Sequence, residues 1–489
     1  MDQIKVSGMR FIDEYGRERI FSGMNVVDKK DFDEKDPGYG YKADSFPFEE
    51  FRARGYDIIR LGFTWGAMEP KPGHYNEELI SDLCAFLDKC EEYGIYAYLD
   101  CHQDVYSPYC YGDGAPRWAT LTDQYVPKKQ IAVWAEPYFY GKACFRAFDN
   151  FWNNAQYNRK GLQDYFADMW KHIAEAVKDK PALFGFDFFN EPHPGEDGGK
   201  IFRTLIKSLV KNSVTDKRVD LIKMAKTGLF SNEKPKALDQ YEADVFRKIV
   251  SPCNELVRRF DTERYSPFIS KMATAIREVT DRGVMIMENN YYSNMGIPCC
   301  NEPVMVNGER ENQQAFAPHA YDLMVDTPAY KYANNSRVGM IFDEHRNTQV
   351  RLGVPCVVGE WGSCAEGDGW YPHIRFLQDK FDSYKWSNTY WCYFNGILEQ
   401  DFMKVFTRPR PKAVTGEIVS YRYDHDDGEF ELTYNQTEKF KVPTVVYVDR
   451  KPKEIKCDGK YKIIELPGNI GYDIEFKTGI GEQKIEIEF

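Results

Sequence analysis

Two glutamates stand where apolar, strand-like runs of the sequence end and loops begin. Glu191 lies in the run FFNEP at 188–192, and Glu360 lies in the run VVGEWG at 357–362. Two carboxyl groups at the mouth of a barrel of parallel strands can cleave a glycosidic bond, one as the acid and the other as the nucleophile. The pair therefore predicts a retaining mechanism, with Glu191 as acid and base and Glu360 as nucleophile.

Further polar residues at predicted strand ends suit the same chemistry. Arg60 interrupts the apolar run IIRLG at 58–62, and a buried cation there needs a carboxylate partner. Its guanidinium would stabilise an ionised Glu360, which Tyr321 would hold through a hydrogen bond. The amide of Asn190 suits the 2-hydroxyl of a sugar. For Arg60, or for either glutamate alone, a structural ion pair is the alternative.

Histidines and an aromatic residue complete the set of candidates. His102 and Asp104 follow the third apolar run, and His319 follows the sixth. The eight histidines form no HxH or HExxH pattern, which argues against a metal site. We expect no cofactor, and hydrogen bonds from these residues to sugar hydroxyls and carboxylates. Trp391, on the last predicted strand, suits a floor for the apolar face of a sugar, with core packing as the alternative.

The elements that must position these residues recur along most of the chain. Short apolar runs alternate with amphipathic stretches, a pattern typical of parallel strands joined by helices. The eight runs are 20–26, 58–63, 95–101, 183–189, 284–288, 315–319, 355–359 and 389–394. This pattern predicts an α/β fold, a (β/α)₈ TIM barrel with its active site at the C-terminal strand ends.

The pattern changes to strict alternation near the C-terminus. Runs such as EFELTY at 429–434 and KIEIEF at 484–489 alternate apolar and polar residues, as antiparallel strands with one buried face do. We predict a catalytic barrel over 1–403 and a C-terminal antiparallel β-sandwich over 404–489. The proline-rich run RPRP at 408–411 marks their junction.

A long insertion separates the fourth and fifth predicted strands. It spans about 193–282, which is too long for a single crossover helix. Residues 200–236 contain ten lysines and arginines against three acidic residues. One helical face carries Ile201, Phe202, Leu205, Ile206, Leu209 and Val210. The stretch is either a helix that packs on the barrel with a solvated basic face, or a surface that meets an anionic or lipid interface.

Composition excludes several classes of protein. A net charge of −12 over 489 residues argues against nucleic acid as a partner. No apolar run reaches the length of a membrane span, and the N-terminus has no apolar signal region. We therefore expect a cytoplasmic protein, or a secreted one if a signal was removed. Twelve cysteines without a CxxC pair favour reduced thiols. No obligate protein partner is evident.

Taken in chain order, these residues resemble a known family. The set that resembles retaining glycoside hydrolase family 5, in clan A, is Arg60, His102, Asn190, Glu191, Pro192, His319, Tyr321, Glu360 and Trp391. The runs that resemble the endoglycoceramidase branch of that family are DCHQDVYS at 100–107, GDGAP at 112–116, DNFW at 149–152 and FTRP at 406–409. A C-terminal β-sandwich is also a feature of that branch.

The resemblance implies cleavage of the β-glycosidic bond between oligosaccharide and ceramide in glycosphingolipids, presented in micelles or membranes. It also implies that Asp104, Trp152 and Asn190 contact the sugar next to the bond, with Lys29 or Lys30 nearby. Alternative substrates are glucosylceramide or a sterol glucoside, for a β-glucosidase, and a β-glucan, for a cellulase-like enzyme. A non-catalytic carbohydrate-binding protein is the alternative from another class, and its mark would be a replaced acid or nucleophile.

Overall fold

A closed barrel of eight parallel strands forms the centre of the molecule. The computed structural model describes residues 1, 3–131, 133–221, 241–325 and 329–489. The barrel strands are β1 (Ser22–Val27), β2 (Ile58–Thr64), β3 (Tyr96–His102), β4 (Leu183–Asp187), β5 (Val284–Glu288), β6 (Gln314–Ala317), β7 (Val357–Val358) and β8 (Ser387–Tyr390). Consecutive strands pair in parallel, and a bridge from Phe316 to Cys356 joins β6 to β7. The predicted (β/α)₈ barrel is confirmed.

The ends of two strands differ from the prediction in a way that matters for the site. β4 ends at Asp187 and β8 ends at Tyr390, so Glu191 and Trp391 lie in the loops just beyond. Glu191 has a φ of +43°, a left-handed conformation that few non-glycine residues adopt. The chain turns sharply after β4, and this turn directs the glutamate over the barrel mouth.

Helices surround the barrel and bury their apolar faces against it. In the helix Glu77–Glu92, the Asn76 side chain caps the first turn and Leu79, Leu83 and Phe86 are buried, as their spacing predicts. The other helices of six or more residues are Phe48–Ala53, Lys142–Trp152, Leu162–Val177, Glu196–Thr215, Ala243–Val250, Asn254–Phe260, Ser266–Arg277, Asn335–Leu352 and Tyr371–Tyr384. None of the described helices is long and apolar enough to cross a membrane.

The insertion after β4 is helical, and its predicted apolar face is only partly covered. In the helix Glu196–Thr215, Ile201 is fully buried, whereas Ile206 and Val210 are exposed. The basic stretch predicted up to Lys236 lies partly outside the described residues. The helix therefore packs on the barrel by one edge and leaves apolar side chains in contact with solvent.

Two packed antiparallel sheets form the C-terminal domain. Its strands are β9 (Arg410–Val414), β10 (Glu417–Asp424), β11 (Glu429–Gln436), β12 (Thr444–Val448), β13 (Glu454–Cys457), β14 (Gly459–Glu465), β15 (Tyr472–Thr478) and β16 (Gly481–Glu488). Phe430 and Leu432 from one sheet and Val446 and Ile474 from the other share one core. Three short N-terminal strands, Lys5–Ser7, Arg10–Ile12 and Glu18–Arg19, extend the sheet that contains β9.

A buried arginine ties this sandwich to the barrel. The Arg410 guanidinium donates to the Ile20 carbonyl oxygen at 2.7 Å and to Asp57 Oδ1 at 2.8 Å. Asp57 directly precedes β2, so this ion pair joins the first strand of the sandwich to the barrel. Both side chains are buried, which makes the loss of either partner costly.

We predict that Arg410→Ala lowers the free energy of unfolding by about 3–5 kcal/mol, because the buried Asp57 loses its nearer cationic partner and keeps Arg19 at 3.8 Å. Arg422→Ala is the matched control, since Arg422 pairs with Glu431 on the solvent side of the sandwich. It should change stability by about 1 kcal/mol or less. Urea denaturation of the three proteins measures the difference, and equal midpoints would contradict the structural role of Arg410.

Candidate active site

Arg60 is fully buried at the centre of the barrel mouth, where four carboxyl groups surround it. Its Nη1 donates to Glu360 Oε1 at 2.7 Å and its Nε donates to Asp187 Oδ2 at 2.9 Å. Its Nη2 lies 2.6 Å from Glu288 Oε1 and 2.9 Å from Asp100 Oδ1. The predicted pairing of Arg60 with Glu360 is present, and the same cation also holds the ends of β3, β4 and β5.

Two of the four carboxyl groups around Arg60 have raised pKa values. Burial, together with the charge of Asp187, raises the pKa of Glu288 well above its usual range. Burial also raises the pKa of Asp187, to about 6. The raised pKa of Glu288 weakens its competition with Glu360 for the Arg60 guanidinium.

Glu191 and Glu360 face each other across the mouth of the barrel. One oxygen of each and one ring nitrogen of His319 lie within 4.8 Å of one another. Retaining glycosidases hold their two carboxyl groups about 5–5.5 Å apart, whereas inverting enzymes need roughly 6.5–9.5 Å to admit a water molecule. A separation of this size between the nearest oxygens fits the retaining arrangement, in which one glutamate forms a covalent intermediate.

Glu191 lies in surroundings that favour its protonated form. Burial and the negative charge of Asp104 raise the pKa of Glu191 to about 7. The Asn294 side-chain amide donates to Glu191 Oε1 at 2.7 Å, and the Glu191 backbone N–H donates to Glu288 Oε2 at 2.7 Å. A carboxyl group held in place and half protonated near neutral pH can donate a proton and later accept one.

Glu360 is held instead by donors that favour a carboxylate. The Tyr321 hydroxyl donates to Glu360 Oε2 at 2.8 Å, and Arg60 donates to the other oxygen. His319 Nδ1 lies 3.3 Å from Glu191 Oε1 and 3.6 Å from Glu360 Oε2. Burial lowers the pKa of His319 to about 3, so the neutral ring bridges the two glutamates without adding charge.

Polar residues after β1, β3 and β8 form one end of the cleft. Lys29 Nζ pairs with Asp104 and lies 4.7 Å from the centre of the Trp391 ring. The His102 ring stacks on Trp391 with centres 5.2 Å apart. Burial and Lys29 act to lower the pKa of His102, but Asp100 and Asp104 together outweigh them and raise it to about 9. Of Lys29 and Lys30, Lys29 is the one that lines the cleft.

Two predicted residues take other positions. Lys30 points away from the cleft and pairs with Asp36 at 3.1 Å. Trp152 is buried among aromatic rings, its Nε1 donates to the His193 carbonyl oxygen at 2.8 Å, and it lines a separate cavity with Arg259. Trp152 is not among the residues that line the cleft around the two glutamates, and its contact with the sugar stays a prediction. Arg60, His102, Asp104, Asn190, His319, Tyr321 and Trp391 do converge on the two glutamates.

Several further residues of the site were not among the predicted ones. They are Asn25, which accepts from Arg60 at 3.0 Å, and Asp100, Asp113, Asp187, Glu288 and Asn294. Asp100, Asp187 and Glu288 lie at or near the C-terminal ends of apolar runs, the same signal that marks Glu191 and Glu360. Asn294 lies in a loop, where no periodic pattern marks it.

Cation ligands are available in three places among the described residues. The groups with ligand atoms within 4.8 Å of one another are His102, Asp104 and Asp113; Glu191, His319 and Glu360; and Asp100, Asp187 and Glu288. Lys29 already neutralises the first group and Arg60 the third. The second group consists of the two candidate catalytic glutamates and the histidine that bridges them. The reaction can therefore rely on the charges of the protein's own side chains.

Comparison with known proteins agrees with this geometry. Residues 13–225 and 239–396 match cellulase (glycosyl hydrolase family 5), and residues 408–478 match the glycoside hydrolase family 5 C-terminal domain. The chain belongs to glycosyl hydrolase family 5. An endoglycoceramidase from Cyanea nozakii is 33% identical over 491 residues, which cover 94% of this chain and 86% of that protein.

Two further similarities were found, one in sequence and one in fold. A glucosylceramidase from Rhizopus delemar is 29% identical over 247 residues, covering 40% of this chain and 36% of that protein. The solved structure of endo-glycoceramidase II from Rhodococcus sp. in complex with ganglioside GM3 has a TM-score of 0.73. It covers 99% of both chains at 18% identity, which shows that the two share a fold.

We predict that Asn294→Ala moves the basic limb of the pH dependence of kcat/KM upward by roughly one pH unit. The Asn294 amide stabilises the ionised form of Glu191, so its removal raises the pKa of the acid further above 7. Asn153→Ala, in an exposed loop outside the cleft, is the control. Full pH profiles make the comparison, and a basic limb that stays in place or moves down would refute the coupling of Asn294 to Glu191.

Proposed function

We propose that this protein is a retaining endo-β-glycosidase that cleaves the bond between oligosaccharide and ceramide in glycosphingolipids. The observation that carries the chemistry is the placement of two glutamates within 4.8 Å in opposite electrostatic surroundings. One is held beside Arg60, and the other carries a pKa raised to about 7 by burial. Both glutamates are present, whereas a non-catalytic carbohydrate-binding protein would be expected to have the acid or the nucleophile replaced.

The first step forms a covalent glycosyl-enzyme. A Glu360 oxygen attacks the anomeric carbon while the bond from that carbon to the leaving oxygen breaks, and Glu191 gives its proton to that oxygen. The Asn190 amide accepts from Arg60 at 3.0 Å and donates to the Gln103 carbonyl oxygen at 3.0 Å. Its second N–H remains for the sugar 2-hydroxyl, a bond that strengthens in the transition state.

The second step releases the sugar. Glu191, now ionised, removes a proton from water, and the resulting hydroxide attacks the anomeric carbon as the bond to Glu360 breaks. Glu360 returns as a carboxylate beside Arg60 and Tyr321, whose donors are already in place. Two inversions at one carbon give net retention of configuration.

The cleft offers different surfaces to the two parts of a glycolipid. It encloses about 550 Å³. Lys29, Asp104 and Trp391 line the end near β1, β3 and β8, where charged groups and a ring suit sugar hydroxyls and faces. Among the other lining residues are apolar ones from the loops after β3, β5 and β6, namely Trp134, Phe139, Met295, Leu323 and Val325. A leaving group with a hydrocarbon body fits this second set, and a purely polar glucan does not need it.

The relatives support the same substrate class. The similarity to the Cyanea nozakii endoglycoceramidase extends over nearly the whole chain, whereas the similarity to the Rhizopus delemar glucosylceramidase covers less than half of it. Both proteins are named for ceramide glycosides. We therefore place ceramide on the leaving side and retain glucosylceramide hydrolysis as the second candidate.

We predict that Glu191→Gln lowers kcat on a glycolipid by about 10²–10⁴-fold, because the ceramide oxygen leaves only when protonated. The same variant should still release dinitrophenolate from an activated aryl glycoside in a burst, since that group needs no acid. Azide should restore turnover, since it attacks without a general base. Glu360→Gln should show no burst on either substrate, and an equal loss on both substrates for Glu191→Gln would contradict its role as acid.

Product analysis tests the substrate. The enzyme, with Glu360→Gln as control, is incubated with mixed glycosphingolipids in detergent micelles, and the products are separated by mass spectrometry. We expect intact oligosaccharides and intact ceramide. Release of a single hexose would favour the β-glucosidase, and preference for a soluble oligosaccharide of the same sugars would favour a cellulase-like enzyme.

A further inference from the structure

An exposed apolar surface with a basic border adjoins the cleft, and we propose that it docks the enzyme on anionic lipid bilayers. We call it the rim surface. It consists of residues 125–131 and 133–142, which follow β3, and the exposed face of the helix Glu196–Thr215. The proposal rests on the proposed function, because the enzyme needs to bind a bilayer only if its substrate is a lipid.

The loop part of the rim surface exposes several apolar side chains close together in the sequence. Ile131 is 95% exposed and Val126 is 78% exposed, with Tyr125, Val133 and Tyr140 also exposed. Tyr125, Val126, Ile131 and Tyr140 surround one cavity of about 400 Å³. Contiguous exposed apolar patches mark interaction sites, whereas single exposed residues are common.

The rim surface is continuous with the cleft. Trp134 lines the cleft, and the Gln130 side chain donates to the Trp134 carbonyl oxygen at 3.3 Å and to the Tyr111 carbonyl oxygen at 3.0 Å. Phe139 also lines the cleft, and its ring stacks on that of Phe202 with centres 4.8 Å apart. A lipid held at this surface therefore lies beside the entrance to the site.

The helix carries the apolar surface further from the cleft. Phe202, Ile206, Val210 and Val214 follow one another at four-residue spacing, so they lie along one face of the helix. The last three are exposed, and Val214 is 85% exposed. Of the apolar side chains that the sequence predicted on one face of this helix, Ile206 and Val210 are exposed, whereas Ile201 is buried and Leu205 and Leu209 pack partly against the barrel core.

The charge of the rim surface selects an anionic bilayer. Residues 124–142 contain three lysines and one acidic residue, in a chain whose net charge is −12. Lys128, Lys129 and Lys142 are exposed, as are Lys207 and Lys211 on the helix. The acidic residue, Glu136, is buried and accepts from the backbone N–H groups of Ile131 and Val133. Lysines around exposed apolar side chains are the composition of surfaces that lie on anionic membranes.

The test compares binding to vesicles of phosphatidylcholine with and without phosphatidylserine. The wild-type protein should sediment with the anionic vesicles, and Val126→Asp combined with Ile131→Asp should reduce that binding by about tenfold or more. Ile480→Asp is the matched control, because Ile480 is 59% exposed in the C-terminal domain. The control should bind as the wild type does.

A second pair of variants tests the charges. Lys128→Glu with Lys129→Glu should abolish the preference for phosphatidylserine, whereas Lys460→Glu with Lys462→Glu, on an exposed strand of the sandwich, should not. Hydrolysis of a glycolipid embedded in anionic vesicles should fall in parallel with binding. Hydrolysis of a soluble aryl glycoside should stay within about twofold, since docking is not needed for it.

Two outcomes would overturn the docking proposal. One is vesicle binding by the Val126→Asp and Ile131→Asp variant that equals the wild type. The other is a wild-type dimer in sedimentation velocity that these substitutions dissociate, which would make the rim surface an interface between copies. Glycolipid cleavage in detergent micelles tests the proposed function separately from docking. If the wild-type protein does not cleave glycolipids in micelles, the proposed function is refuted. If the variants do cleave them there, any loss on vesicles concerns docking alone.

Discussion

The burial of one arginine is the constraint on which the site depends. Arg60 has no access to water, and a guanidinium in that position persists only if carboxylates and amide oxygens take all its donors. The partners come from the ends of β1, β3, β4, β5 and β7 or the loops beyond them. A single side chain thus holds strands that are far apart in sequence, and the barrel mouth has its shape because that charge must be satisfied.

The same network gives two identical side chains different chemistry. Glu360 receives donors from Arg60 and Tyr321, whereas Glu191 receives one amide and faces the negative charge of Asp104. Glu288 links the two, because it contacts Arg60 through one oxygen and accepts the backbone N–H of Glu191 through the other. The nucleophile and the acid are therefore positioned by one set of interactions, and their spacing follows from the barrel rather than from either loop alone.

The walls of the cleft and the surface beside it suit a lipid substrate. Polar residues dominate the cleft near β1, β3 and β8, and apolar residues from longer loops supply much of the remaining wall. The loop after β3 continues outward into exposed apolar side chains bordered by lysines. An enzyme with a membrane-borne substrate needs both features, since the bond to be cut and the hydrocarbon body of the leaving group arrive from one interface.

The sequence by itself determined the barrel and the sandwich, and it singled out Glu191 and Glu360 as the candidate catalytic pair, because strand ends in a (β/α)₈ fold converge at one face whatever their separation along the chain. The structure brings Arg60, His102, His319 and Tyr321 to the same face for this reason. Only the tertiary structure decided that the glutamates lie within 4.8 Å, that Lys29 reaches the cleft and that Trp152 does not. These depend on loop paths and side-chain partners, such as the amide of Asn294, which no periodic pattern encodes.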